Sequence, residues 1–139
     1  MTTIDVMVEI NNRTKNKINI ASVKLTTEKF LLKHKLSKKE VSIAFVGDNE
    51  IRKLNKIYRK IDKATDVLSF AGEYDFLGEI VIDYAQIKRQ AKEFKKKVDE
   101  ELIFILIHGL LHLIGYDDKT EKGRQEMIGL GEQFIKNSK

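Results

Sequence analysis

The spacing of apolar residues predicts four β-strands. Positions 4, 6, 8 and 10 are isoleucine or valine, while positions 5 and 9 are acidic. This period of two predicts a first strand with one buried face. Asn11 and Asn12 are expected to turn the chain after it. Runs rich in valine, isoleucine and phenylalanine predict three more strands over residues 41–46, 67–70 and 77–83, with a turn around Gly72 between the last two.

Helical spacing marks most of the remaining chain. It predicts helices over about 18–34, with residues 18, 21, 25 and 32 on the buried face, and from a Gly47-Asp48-Asn49 turn through Ile51, Leu54 and Tyr58. Three further helices are expected over about 84–96, 99–116 and 119–136. Asp99 is expected to cap the fourth helix, and Gly115 to end it. The sequence therefore predicts an α+β domain over residues 1–139, with a four-stranded mixed sheet and about five helices.

Composition narrows the chemistry that this chain can perform. The 139 residues include no cysteine, which excludes disulfides, thiolate metal ligands and a cysteine nucleophile. Any metal must therefore be held by nitrogen and oxygen. The first residues lack a signal-peptide pattern, so a cytoplasmic location is expected. The apolar run at 102–114 is shorter than the roughly 18 residues of a membrane span and predicts a buried helix.

Basic residues are concentrated in two segments. The net charge is +5, and each of the segments 52–63 and 84–97 carries six basic residues and one acidic residue. Solvated helix faces account for many such clusters. Two separate clusters nevertheless favour contact with a polyanion, and we expect RNA to be that partner.

Two histidines and an aspartate have the spacing of metal ligands. His108 and His112 are four residues apart on the fourth predicted helix, so their side chains lie about 40° apart around its axis. Gly115 lets the chain reverse and return Asp118 to the two rings. A single histidine on an apolar face is usually a core residue, but this combination predicts a metal site. Three protein ligands leave one position open, as in catalytic sites.

The same spacing is similar to the metzincin metalloprotease motif, and the fourth helix is expected to be a metzincin-like metal-binding helix. Metzincins carry a glutamate after the first histidine as general base, but this chain has Gly109 there. A metalloprotease therefore stays an alternative of lower rank. A third alternative is a non-catalytic ribosome-associated factor that binds RNA and has a structural metal.

Residues 108–118, His-Gly-Leu-Leu-His-Leu-Ile-Gly-Tyr-Asp-Asp, closely resemble the signature of the YbeY family of bacterial rRNA-maturation endoribonucleases. Asn55, Tyr58-Arg59, residues 65–70 and residues 77–82 resemble the other blocks of that family. The resemblance implies a metal-dependent endoribonuclease specific for single strands. It also implies a role in maturation of the 16S rRNA 3′ end and in ribosome quality control, with the ribosome or its proteins as partners. The implied cofactor is one zinc ion per chain, with other divalent metals also compatible.

The resemblance also implies roles for particular residues. His108, His112 and Asp118 are the implied metal ligands, although the family usually has histidine where this chain has Asp118. A carboxylate still binds zinc, and its harder oxygen widens the choice of metal. Alanine stands at 64 and 71 where the family often has proline, which affects loop stiffness more than chemistry.

Arg59 is the expected catalytic residue beside the metal, because a guanidinium grips phosphate oxygens and stabilises developing charge. The expected substrate-binding residues are Thr65, Asp66 and Ser69. The sequence leaves the general base open, with Asp66, Asp117 and Glu79 as candidate carboxylates.

Overall fold

The structure is a computed structural model that describes residues 7–138. Over that range the chain forms four strands and five helices in the predicted order. Their bounds are β1 Met7–Asn12, α1 Ile20–Lys33, β2 Glu40–Val46, α2 Asp48–Arg59, β3 Val67–Ala71, β4 Phe76–Asp83, α3 Tyr84–Glu93, α4 Val98–Leu113 and α5 Glu121–Asn137.

The strands form one mixed sheet with the order β1-β2-β4-β3. Strands β1, β2 and β4 are parallel, and Ile43 in the middle of β2 pairs with Ile10 on one side and Ile80 on the other. Strand β3 forms an antiparallel pair with β4. The predicted α+β fold with a mixed four-stranded sheet is therefore confirmed.

Helices cover both faces of the sheet. The β2 and β4 side chains of one face belong to a core cluster with residues of α1, α3, α4 and α5. The alternate residues Val46 and Val81 point to the other face, where they form a smaller cluster with Ile51 of α2 and Leu68 of β3. The sheet thus lies between α2 and the other four helices.

Helix α4 lies at the centre of the larger cluster. Leu102, Leu106, Ile107 and Leu110 are almost completely buried, and burying each such side chain stabilises the fold by about 1.5–3 kcal/mol. The predicted buried helix over the apolar run is confirmed. No helix within residues 7–138 has both the length and the hydropathy needed to cross a membrane. Burial of α4 fixes one wall of the site described below.

The structure corrects two expectations, one about strand β1 and one about helix α1. Asn11 and Asn12 pair with β2 and continue the strand instead of turning the chain. The predicted positions 4 and 6 lie outside the described residues. The buried face of α1 consists of Val23, Thr27, Phe30 and Leu31, whereas the predicted residues Leu25 and Leu32 are 55% and 46% exposed. Both sets fit helical spacing, and packing against α4 selects the set that includes Phe30.

Two other helix predictions were partly wrong. Tyr58 was expected on the apolar face of α2, but it is 64% exposed, and the buried residues of that helix are Ile51 and Asn55. Helix α4 begins one residue earlier than expected, so Lys97 occupies the N-cap and Asp99 lies in the first turn. There Asp99 still stabilises the helix through its dipole.

Candidate metal centre

The end of α4 has the local geometry that the Gly115 signal predicts. Gly115 adopts a φ of +108°, a conformation that glycine takes without strain. Its N–H donates to the His112 carbonyl, and the Tyr116 N–H donates to the Leu111 carbonyl. These two bonds form a Schellman motif, which ends the helix and reverses the chain. The reversal returns Asp118 to the face of α4 that carries the histidines.

Three side chains converge at this reversal. Oδ2 of Asp118 lies 3.3 Å from Nε2 of His108 and 3.6 Å from Nε2 of His112. All three potential ligand atoms lie within 4.8 Å of one another. In a tetrahedral zinc site with bonds of about 2.0–2.1 Å, ligand atoms are about 3.3–3.4 Å apart. The donor set and its spacing therefore fit a divalent metal ion.

The charge state of Asp118 also suits a ligand. Partial burial acts to raise the pKa of its carboxyl, but the neighbouring His112 and His108 outweigh burial and lower that pKa. The carboxyl is therefore ionised at neutral pH, as a metal ligand must be.

The adjacent carboxylate, Asp117, has a different position. Its Oδ1 accepts a hydrogen bond of 3.1 Å from the backbone N–H of Lys119, two residues later. This arrangement is an Asx turn, which stabilises the loop between α4 and α5. Asp117 is absent from the group of converging ligand atoms within the described chain.

The histidines open onto a cleft of about 950 Å³. The cleft brings together every site residue that the sequence indicated, from three separate elements and two loops: Arg59, Thr65, Asp66, Ser69, His108, His112 and Asp118. His108 and His112 are partly buried, with side chains 18% and 28% exposed. A site of this size and openness admits a chain-like substrate as well as a small molecule.

Arg59 ends helix α2 at the margin of this cleft. The other arginines of the described chain each pair with a carboxylate, as Arg52 does with Asp62 and Arg89 with Asp48. Within residues 7–138, Arg59 forms no such pair and is exposed. Its guanidinium is therefore available to an anionic ligand.

Ser69 and Thr65 have polar groups that are partly engaged. The Ser69 hydroxyl donates a 3.0 Å hydrogen bond to the backbone carbonyl of Gly109, which ties β3 to α4. The Thr65 hydroxyl lies 3.5 Å from Oδ1 of Asp66. Both side chains still line the cleft, where their oxygens can accept further hydrogen bonds.

Asp66 belongs to a polar network behind the cleft. Nε2 of Gln90 on α3 donates to Oδ2 of Asp66 over 3.3 Å and to Oε2 of Glu101 on α4 over 2.9 Å. Glu101 is only 2% exposed, and Lys96 lies 3.7 Å from its other carboxylate oxygen. Burial of a carboxylate is tolerated only with such partners.

The structure also narrows the choice of general base. Asp66 and Asp117 line the cleft, whereas Glu79 accepts a hydrogen bond from Ser42 on the opposite face of the sheet and is not among the lining residues. Glu79 is therefore removed from the candidates. Its position follows from strand alternation, because the neighbouring residue Ile80 faces α4.

The lining residues that the sequence did not indicate include three aromatic and two basic side chains: Tyr58, Phe70, Phe104, Lys119 and Arg124. Arg124 makes hydrogen bonds of 2.7 Å and 2.8 Å to Glu121, so its charge is partly satisfied. Adjacency to an expected site residue was a usable signal for Tyr58, Phe70 and Lys119, which are next to Arg59, Ser69 and Asp118.

Gly109 lies on the buried side of α4, next to the histidines. A Cβ atom there would be 3.2 Å from methyl groups of both Val67 and Ile80, and 3.3 Å from the Ser69 hydroxyl oxygen. These contacts are tighter than ordinary van der Waals contacts. A side chain at this position, where a metzincin carries its glutamate, would crowd these neighbours, which would have to give by a few tenths of an ångström.

The fold and site together define a class: a mixed α+β protein whose central helix and following loop present a candidate His-His-Asp metal centre in an open cleft. The family profile described as Endoribonuclease YbeY matches residues 7–139. This chain belongs to the YbeY family.

Individual relatives agree with that assignment. A protein described as Endoribonuclease YbeY from Acholeplasma laidlawii is 42% identical over 100 residues, which are 70% of this chain and 73% of that protein. Another of the same description from Desulforamulus reducens is 50% identical over 99 residues, 63% of this chain and 65% of that protein. The solution structure of TM1509 from Thermotoga maritima has a TM-score of 0.69 at 30% identity, covering 93% of this chain and 87% of that one.

Proposed function

We propose that this protein is a metal-dependent endoribonuclease that cleaves single-stranded RNA. Its place in the cell would be the maturation of ribosomal RNA, at the 16S rRNA 3′ end, and ribosome quality control in the cytoplasm. The names of the relatives support the activity. The resemblance of residues 108–118 to the family signature supports the ribosomal role.

The observation that carries the proposal is the convergence of His108, His112 and Asp118 within 4.8 Å at the floor of the cleft. These three residues would hold a divalent ion, with zinc as the first choice, and the ion would supply Lewis acidity and activation of water at neutral pH. The two histidines hold their rings on one face of α4, and Asp118 contributes a charged oxygen.

Other cleft residues act on the RNA itself. Arg59 binds the phosphate that is cleaved, and its fixed charge stabilises the negative charge that develops on the phosphate oxygens. Thr65 and Ser69 accept hydrogen bonds from the ribose or base, and Asp66 orients the substrate or accepts a proton. This assignment is supported by the shared position of these residues in the cleft and by the unpaired guanidinium of Arg59.

The test combines metal analysis with RNA cleavage. Purified protein is stripped with a chelator, reloaded with zinc, manganese or magnesium, and incubated with an unstructured RNA oligonucleotide. We expect one ion per chain and cleavage only after reloading. His112→Ala should lose both, whereas His34→Ala should keep both, because His34 stacks on Phe30 away from the cleft.

The same assay separates the alternatives. Cleavage of an unfolded protein substrate with no cleavage of RNA would favour a metalloprotease, although this chain has Gly109 in place of the glutamate that such enzymes use, and a side chain there would crowd its neighbours. RNA binding that is indifferent to the metal, with no cleavage, would show a non-catalytic factor. Either result would refute the proposed activity.

A further inference from the structure

Tyr58 and Phe70 form an aromatic pair in the wall of the cleft. Tyr58 lies in the last turn of α2 and Phe70 near the end of β3, and their ring centroids are 5.0 Å apart at 67°. This edge-to-face geometry is favourable for two aromatic rings. It fixes the Tyr58 ring against the sheet even though the residue is 64% exposed.

The location of the aromatic pair in the cleft, more than its exposure, indicates a role in ligand binding. Tyr58 is adjacent to Arg59, and both line the cleft that contains His108 and His112. A nucleotide presents two features of different chemistry, a charged phosphate and a flat base. In the cleft, the Arg59 guanidinium, which has no carboxylate partner within residues 7–138, is available to the phosphate. The adjacent Tyr58 ring is available to the base.

We infer that Tyr58, supported by Phe70, is a stacking subsite for one base beside the phosphate held by Arg59. This inference rests on the proposed function, because it takes RNA as the ligand. A base inside a duplex already has neighbours on both of its faces, so the ring selects a base that is unpaired and unstacked. Tyr58 therefore contributes to the choice of single strands at the site of cleavage.

Two exposed apolar residues near Tyr58 raise an alternative ligand for this surface, namely another protein. Ile57 and Ile61 are 61% and 37% exposed, but neither is among the residues that line the cleft. If Tyr58 belonged with them to a protein-docking surface, its loss would weaken binding of a protein and leave cleavage of free RNA unchanged. The arrangement of Tyr58 with Phe70, inside the cleft, favours the base.

The test is a double-mutant cycle between the ring and one base of the substrate. Zinc-loaded wild type, Tyr58→Ala, Tyr58→Leu and Tyr58→Phe are assayed on an unstructured RNA oligonucleotide and on copies with a single abasic position moved along it. Tyr58→Leu keeps an apolar contact with Phe70, so it guards against a loss that comes from unfolding. Tyr74→Ala is the matched control, since Tyr74 is 91% exposed and outside the cleft.

Stacking of one base contributes enough to change binding by about 5- to 150-fold. We expect Tyr58→Ala and Tyr58→Leu to lower kcat/KM by at least about fivefold, and Tyr58→Phe and Tyr74→Ala to remain near wild type. In wild type, one abasic position near the cleaved bond should cause a similar loss. That same abasic substrate should cause no additional loss in Tyr58→Ala, because base and ring are lost together.

Failure of the subsite is distinguishable from failure of the proposed function. If wild type cleaves RNA and folded Tyr58→Ala cleaves it equally well, the subsite is wrong and the endoribonuclease stands. Additive losses from the abasic position and from Tyr58→Ala would also overturn the subsite. If wild type loaded in turn with zinc, manganese and magnesium cleaves no RNA, the proposed function is wrong and the subsite is wrong with it.

Discussion

Gln90 donates a 2.9 Å hydrogen bond to Glu101, a carboxylate buried at the packing of α3 against α4. The side-chain oxygen of Gln90 accepts a 3.0 Å hydrogen bond from the side-chain amide of Gln86. This bond orients the Gln90 amide so that its nitrogen faces Glu101. The same amide nitrogen reaches Asp66 in the cleft. Gln90, which lies between α3 and α4, thus orients the Asp66 carboxylate in the cleft.

Gln90→Leu should therefore affect both stability and activity. Leaving Glu101 without this donor should lower the free energy of unfolding by about 1–3 kcal/mol. Release of Asp66 should lower kcat for RNA cleavage. Urea denaturation and steady-state cleavage measure the two effects, with Gln133→Leu on the exposed side of α5 as the control.

A double variant separates positioning from folding. Replacing Gln90 and Glu101 together by leucine removes both polar partners, so stability should return toward wild type. Cleavage should stay low, because Asp66 still lacks its donor. Recovery of full kcat along with stability would show that Gln90 acts only on folding.

The second prediction concerns which aspartate binds the metal. Asp118→Asn should weaken zinc binding by at least about tenfold, because a neutral amide oxygen is a poorer ligand. Asp118→His should restore binding through a nitrogen ligand. Asp117→Asn is the matched variant and should have little effect, since Asp117 supports the loop through Lys119. Isothermal titration with zinc decides, and unchanged affinity in Asp118→Asn would refute the assignment.

The third prediction concerns Asp83, the fully buried N-cap of α3. Burial, followed by the hydrogen bond and charge of Asp48, raises the pKa of the Asp83 carboxyl to about 7. Hydrogen bonding to Arg89 and then to Asp83 lowers the pKa of Asp48. Below about pH 7 the carboxyl of Asp83 is therefore protonated while that of Asp48 is ionised.

The sign of the pH dependence follows from this raised pKa. The native state holds a proton that the unfolded chain releases near its ordinary pKa of 3.8. The corresponding stability is fully present below that pH and is lost as pH rises through about 7. Asp83→Asn keeps a hydrogen-bonding side chain but removes the carboxyl that titrates. Between pH 5 and pH 8, the Tm of this variant should therefore fall less than the wild-type Tm. The exposed Asp75→Asn variant should follow wild type in thermal melts.

The fourth prediction concerns the basic segment 84–97. Arg89 is paired with Asp48, Lys96 with Glu101, and Lys88 donates to the Asn16 side-chain oxygen, which leaves Lys92, Lys95 and Lys97 as exposed charges. If these three contact phosphates, reversing them to glutamate should reduce the slope of log affinity against log salt by about 2, at roughly 0.7 per contact.

Net charge requires its own control in that experiment. Reversal of Lys24, Lys33 and Lys38 makes the same change of charge at exposed positions in or near α1. The slope of log affinity against log salt should then change less than it does when Lys92, Lys95 and Lys97 are reversed. Equal slopes in both variants would show that the segment is only a solvated face.

Local signals predicted that His108, His112 and Asp118 converge, and the reason is geometric. The two histidines share one helix, and the Schellman motif that returns Asp118 is encoded by Gly115 within the same eleven residues. The mixed sheet was also predictable, because each strand has its own apolar run. Neither prediction required knowledge of distant contacts.

Long-range packing decided what the sequence left open. The buried face of α1 was wrong because two sets of apolar positions fit one period, and only contact with α4 distinguishes them. Helical spacing placed Tyr58 with Ile51 and Leu54, and it could not show that the Tyr58 ring instead packs on Phe70 of β3 and stays largely exposed. The Gln90 network joins α3 to α4 and to the loop before β3, so no local pattern reveals it.

The close seating of α4 at Gly109 has a consequence for the entropy of metal binding. A Cβ atom on this glycine would be 3.2–3.3 Å from Val67, Ile80 and Ser69, so the helix backbone lies close to the sheet. This packing holds the backbone positions of His108 and His112 in place before any ion arrives. Part of the conformational freedom of these ligands is therefore lost when the chain folds and not on metal binding. A residue without a side chain thereby helps to set the affinity of the centre.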